Sequence, residues 1–206
     1  MSLDLWLAFV AAATVLLMIP GPTILLVVSY SLTQGRRVAL AMALGVALGD
    51  FIAMTASLLG LGAVVLASAH LFTALKWIGA VYLVWMGIKL LRARPQLGDL
   101  AAPAPKAARA IFAHAATVTA LNPKSIAFFI AFVPQFLRLD APLGPQFATL
   151  IATFVTLATL NALGYALLAD RLRARIRRPA VLAWMNRAGG TALIGMGALT
   201  ASLARS

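Results

Sequence analysis

Asn122-Pro123-Lys124 lies inside a 26-residue apolar stretch, Ile111 to Phe136, that closes on Pro134-Gln135-Phe136. The stretch is long enough to cross a bilayer. Proline lacks a backbone donor and clashes with the preceding turn, so a helix breaks or kinks there. Lipid satisfies no freed backbone group, so the broken segment must face protein or a watery cavity. A lysine is costly at that depth, and an intramembrane ionisable residue marks a candidate functional site. Asp50 is a second one. The other aspartates, Asp4, Asp99, Asp140 and Asp170, all fall near segment boundaries. Counted from Val38, Asp50 is 12 residues in, about 18 Å along a helix and near the middle of a ~30 Å core. Lys124 is 13 residues from Ile111, at a similar depth. The two could pair, and a buried pair is tolerable where a lone charge is not. Two readings stay open: a static bridge between parts of the fold, or two members of a pathway for charged solutes.

The elements that hold these residues must be apolar helices. The chain has 206 residues, 63% hydrophobic and 11% charged, which excludes an ordinary soluble domain and fits one compact unit of several spans. No cysteine is present, which removes disulfides, redox carriers and thiolate metal sites. The net charge of +12 would suggest nucleic acid on a soluble domain. Here the basic residues sit between apolar segments, where anionic membrane lipid is the better partner. The N-terminus has no Lys or Arg ahead of its apolar run, so it does not read as a signal peptide and the first span is expected to be retained.

Six transmembrane helices are predicted, at 5–29, 38–67, 70–91, 111–136, 144–169 and 181–203, giving an all-α integral membrane protein. Ala41, Gly45 and Gly49 put small residues on one face of the second, where another helix can approach closely. That face is expected to pack within the monomer, with a homo-oligomer as the alternative. The loops after spans 1, 3 and 5 carry 13 basic residues, from Arg36 and Arg37 through Lys89–Arg109 to Arg171–Arg187. The positive-inside rule places those loops in the cytoplasm and both termini outside. Residues 92–110 read as a flexible Ala/Pro-rich linker. Residues 170–178 read as a short interfacial helix or a solvated basic turn.

Three spans (1–91), a linker (92–110) and three more spans (111–206) suggest two halves of one transmembrane domain. An odd number of spans per half turns the second upside down. Span 1 is interrupted by Pro20-Gly21-Pro22 and span 4 by Asn122-Pro123. Interrupted helices at corresponding positions of an inverted repeat point to a transporter binding site. Two unrelated proline kinks are the bland alternative.

At these residues the chain resembles the LysE/RhtB family of amino-acid exporters, of the homoserine/threonine efflux type. The resemblance runs through Pro20-Gly21-Pro22, Gly35-Arg36-Arg37, Gly45, Gly49-Asp50, Lys76-Trp77-Ile78-Gly79-Ala80, Tyr82-Leu83, Trp85-Met86-Gly87, Asn122-Pro123-Lys124, Phe128-Phe129, Pro134-Gln135-Phe136, and Arg187 with Gly190 and Gly195. Val38-Ala39 departs from it, where relatives often carry a glycine. The resemblance implies efflux of amino acids or close derivatives across the cytoplasmic (inner) membrane, driven by the proton gradient. It implies neither a cofactor nor a metal, and no enzymatic step.

An amino acid is a zwitterion. Its carboxylate needs donors, which Lys124 and the free N–H groups after Pro22 and Pro123 can supply. Its ammonium needs an acceptor, which Asp50 or unwound carbonyls around Gly21 and Asn122 can supply. Asp50 is also the candidate proton carrier, since burial favours the neutral form of a carboxyl. Thr23, Gln135 and Asn161 are polar candidates for the cavity wall, or else ordinary interhelical hydrogen bonds. His70 and His114 read as interfacial, with His114 a minor candidate for proton traffic. A divalent-metal exporter would want clustered carboxylates or histidines, and a single intramembrane Asp argues against it. An intramembrane serine protease would need a histidine beside Ser29, Ser57 or Ser125 at depth. A non-transporting scaffold would leave the internal charges without purpose.

Overall fold

A computed structural model of the chain describes residues 1–19, 21–93, 106–138, 140–176 and 179–203, and the account below is of these residues. Pro20, Asp99 and most of the expected linker fall outside them. Among the described residues the fold is helical, with no strand.

Eight α-helices follow one another: α1 (Leu3–Met18), α2 (Pro22–Gln34), α3 (Ala39–Ala67), α4 (Ala69–Arg92), α5 (Ala108–Ala120), α6 (Pro123–Ala131), α7 (Leu143–Ile176) and α8 (Pro179–Leu203). Short 3₁₀ turns at Gly35–Val38 and Val133–Phe136 complete them. The stretches Pro22–Val64, His70–Arg92 and Leu143–Ala169 are long and apolar enough to cross a membrane, and α1 is a shorter apolar helix. Large side chains such as Leu40, Ile78, Val81, Trp85, Leu160 and Trp184 are more than half exposed. On a soluble protein such a surface would aggregate; against lipid tails it is matched to its solvent.

The helix ends follow local chemistry. Pro22 and Pro123 each stand in the first turn of a helix, where the missing N–H costs nothing. Asn122 caps α6 by accepting from the Lys124 amide at 3.1 Å, and Ser68 caps α4 by accepting from Leu71 N at 3.3 Å. Gly35, at φ 70°, ends α2 in the left-handed region that a side chain disfavours. The first predicted span is thus two helices, and the second of them runs on to Gln34. Residues 170–176 form neither a separate interfacial helix nor a turn. They continue α7, because nothing in Arg171–Ile176 breaks the helix; Arg177 and Arg178 fall outside the described residues.

Small residues set the packing. A Cβ on Gly45 would lie 2.5 Å from the Phe112 carbonyl oxygen, and one on Gly49 2.6 Å from that of Ala116. The Gly45/Gly49 face therefore packs on α5 of the same chain, as expected. A similar contact joins α4 and α8, where a Cβ on Gly87 would meet the Gly190 carbonyl and one on Gly197 that of Ala80. Buried Gln146 ties down the start of α7. It accepts from Arg138 N at 2.9 Å and donates to the carbonyls of Arg138, Ala141 and Pro142.

Gly45→Leu should push α3 off α5 and destabilise the folded protein by at least about 1–3 kcal/mol. Gly60→Leu, where a Cβ would meet nothing within 4 Å, should be neutral. Thermal unfolding in detergent measures both; equal midpoints would refute the close approach.

Candidate functional site

The break between α1 and α2 meets the break between α5 and α6. Ending α1 at Met18 leaves the carbonyls of its last turn short of amide donors, with Leu16 O kept by the Ile19 amide at 3.2 Å. Side chains from other helices take them up. Lys124 Nζ donates to Leu16 O at 3.1 Å and Ile19 O at 2.7 Å. Asn161 Nδ2 donates to Leu17 O at 3.2 Å, and the Tyr165 hydroxyl to Met18 O at 3.4 Å. The lysine's positive charge also opposes the partial negative charge of that helix end.

The second break is tied to the first by a polar cluster. Asn122 Nδ2 donates to Thr23 Oγ1 at 3.2 Å, and Thr23 shares a hydrogen bond of 3.3 Å with Thr119 Oγ1. Thr23, Thr119 and Asn122 are all buried. Gly21 precedes α2 in an extended conformation, and a Cβ there would lie 3.4 Å from Lys124 Nζ. Gly21 thus leaves room for the ammonium group.

Between these breaks is a small cavity. Gly21, Thr23, Asp50, Asn122, Lys124, Ser125 and Asn161 give it a polar wall, and Leu16, Ile24, Val46 and Ala158 an apolar one. It offers about 20 Å³, room for one water and too little for a larger solute. Asp50 is 3% exposed, and its Oδ1 has no hydrogen-bond partner. The anticipated contact pair between Asp50 and Lys124 is absent. Among the described residues, Arg138–Asp140, on the surface, is the one ion pair. The reason is geometric: Lys124 turns two of its three protons to the α1 carbonyls, and Asp50 is left across the cavity.

The structure thus brings together Gly21, Thr23, Asp50, Asn122, Lys124 and Asn161, with Pro22 and Pro123 beside them at the heads of α2 and α6. It does not bring in Gln135, which hydrogen-bonds Thr200 of α8 instead. Pro20 lies outside the described residues. Ser125, Thr119 and Tyr165 were not singled out as site residues. Tyr165 is four residues beyond Asn161 on α7 and so shares its face; Thr119 and Ser125 lie on either side of the break at Asn122, where helical spacing carries no such signal. His114 Nδ1 is 3.0 Å from the Tyr30 hydroxyl, and His70 is exposed.

Helices broken in mid-chain around two isolated ionisable side chains define a membrane translocator site in form. The sequence matches the family described as LysE type translocator over residues 14–203, and the chain belongs to that family. It is 34% identical over 203 residues to the homoserine/homoserine lactone efflux protein of Salmonella typhimurium, covering 98% of each chain. It is 35% identical over 202 residues to an uncharacterized membrane protein of Vibrio cholerae, again over 98% of each. It is 27% identical over 164 residues to the leucine efflux protein of Klebsiella pneumoniae, covering 78% of this chain and 74% of the relative. No solved structure matches it.

Asn122→Ala removes both the α6 cap and the bond to Thr23. It should cost about 1–2 kcal/mol of stability, whereas Gln135→Ala should leave the breaks intact. Amide hydrogen exchange across 119–126 should rise in the first variant only; unchanged exchange there would contradict the capping role.

Proposed function

We propose that this protein exports an amino acid or a close derivative across the cytoplasmic membrane in exchange for protons. The observation that carries the reading is Asp50, a buried carboxyl with an unpartnered oxygen on the wall of the cavity that Lys124 also lines. The family and the efflux relatives support it.

The chemistry follows from what each group lacks. A buried carboxylate without a partner is unfavourable. Asp50 needs either a proton or a substrate ammonium, and it holds one at a time. That exclusion is the basis of exchange: a proton arriving at Asp50 displaces the ammonium, and a substrate ammonium displaces the proton. The substrate carboxylate is met by the third Lys124 proton and by the first-turn amides of α2 and α6 other than that of Lys124, which Asn122 caps. Thr23, Asn122, Ser125 and Asn161 orient what lies between. The space of about 20 Å³ is smaller than an amino acid, so the walls must separate to admit substrate.

The transport unit is a single transmembrane domain. Six spans are arranged as a 3+3 inverted repeat: residues 1–91, a cytoplasmic linker over 92–110, and residues 111–206. Helices 1 and 4 are the broken ones. Two parallels support the repeat: α2 packs on α7 as α6 packs on α3, and α1 packs on α7 as α5 packs on α3. Both termini face outward and the Arg-rich loops face the cytoplasm.

Asp50→Asn keeps shape but cannot exchange a proton. In amino-acid-loaded vesicles, efflux driven by a pH gradient should fall to the protein-free level while the variant still inserts and elutes as folded protein. Full pH-driven efflux by that variant would move coupling elsewhere.

A reporter fused after Arg178 should read cytoplasmic and one at Ser206 external. Ser206 inside would remove the inverted repeat.

A further inference from the structure

All six buried phenylalanines among the described residues lie on one side of the central cavity: Phe9, Phe128, Phe129, Phe132, Phe136 and Phe154. Phe9 precedes Leu16 by seven residues on α1, and Phe154 precedes Asn161 by seven on α7. Each therefore stands about 10 Å along its helix from the cavity wall. Phe128 joins them, its ring centroid 6.5 Å from that of Phe9 and 6.0 Å from that of Phe154. Phe136 meets Phe9 edge-on at 5.4 Å. Toward Gln34, on the opposite side of the cavity, the one buried aromatic among the described residues is Tyr30, and its buried neighbours include the aliphatic Val27, Met42, Ile111 and Ala43.

Beyond the phenylalanine layer is a second, open cavity of about 370 Å³, lined by Met1, Trp6, Gln146 and Thr149 among others. Helices α1 and α7 line both it and the central cavity. The seam between α1 and α7 thus runs from a polar compartment, through a layer of phenylalanines, to a vestibule large enough for a small solute.

From this order we infer that the α1–α7 seam is the exit route, and that the layer centred on Phe9, Phe128 and Phe154 is its gate. The inference rests on the export reading above. A closed layer of phenylalanine rings excludes water and zwitterions alike. The rings, tilted by 31–33° in the Phe9–Phe128 and Phe128–Phe154 pairs, have no hydrogen bonds of their own to strand, so opening costs their packing and the one cross-seam bond from Trp6 Nε1 to Thr153 Oγ1 at 3.0 Å. The gate is also linked to the site. Lys124 bonds to Leu16 O and Ile19 O at the end of α1, and a substrate carboxylate bound to its third proton pulls on the same ammonium and loosens the helix carrying Phe9.

The absence of cysteine allows a test by single cysteines and a membrane-impermeant thiol reagent on reconstituted protein. The face from which Trp6→Cys is modified identifies the vestibule side. Ala158→Cys, on the central wall, should react slowly from that face. Adding Phe154→Ala, or the gentler Phe9→Leu, should accelerate it about tenfold, equivalent to weakening the seal by about 1.4 kcal/mol. Unchanged modification in a folded double variant would overturn the gate, as would acceleration from the opposite face only. Failure of Phe9→Leu to fold would also overturn it, since the layer would then be an indispensable core. Labelling needs no substrate, so a lack of amino-acid efflux from loaded vesicles would count against the export reading alone.

Discussion

A helix that ends inside a membrane leaves carbonyls that lipid cannot satisfy, and the centre of this protein is arranged around that constraint. The last turn of α1 exposes the oxygens of Leu16, Leu17, Met18 and Ile19, and each receives a side-chain donor from α6 or α7. Those bonds fix α6 and α7 against α1 in rotation and height. They also place Lys124 and Asn161 at the wall of the cavity. The cation is held by the helix end it neutralises, whose carbonyls take two of its protons, while Asp50 stands on the wall of the same small cavity.

The second break depends on close packing. Gly45 and Gly49 let α3 approach the backbone of α5, and Asp50, the next residue, is carried to the same depth as Thr119 and Asn122. Without that approach the Thr23–Thr119–Asn122 cluster would have no wall behind it. Packing and polar satisfaction are therefore coupled: the glycines set the distance at which the hydroxyls and the amide meet.

The cavity and its surroundings are asymmetric, and the asymmetry carries functional meaning. One side holds the six phenylalanines that are buried among the described residues. The other holds Tyr30, paired with His114, among aliphatic side chains such as Met42, Ile111 and Ala43. A solute pathway needs unequal ends if it is to open one at a time, and here the inequality is built from side-chain chemistry.

The sequence by itself determined much of this. Apolar length marked the helical stretches; Pro22, Asn122 and Pro123 marked the breaks; Asp50 and Lys124 stood out as isolated charges in apolar segments. Such features are local, written in hydropathy, in proline's missing donor and in the cost of burying charge. The extension of α7 through Ile176 was not anticipated, because alternating Arg and apolar residues fit a helix as well as a turn. Tertiary structure alone decided who partners whom. Depth along two helices said that Asp50 and Lys124 could meet, but the rotation of α6 turned the lysine to the α1 carbonyls instead. Gln135 was drawn off to Thr200, while Ser125 and Tyr165 were turned inward. Such choices depend on the relative rotation and offset of helices far apart in the chain, which many weak contacts fix together and no short stretch of residues encodes.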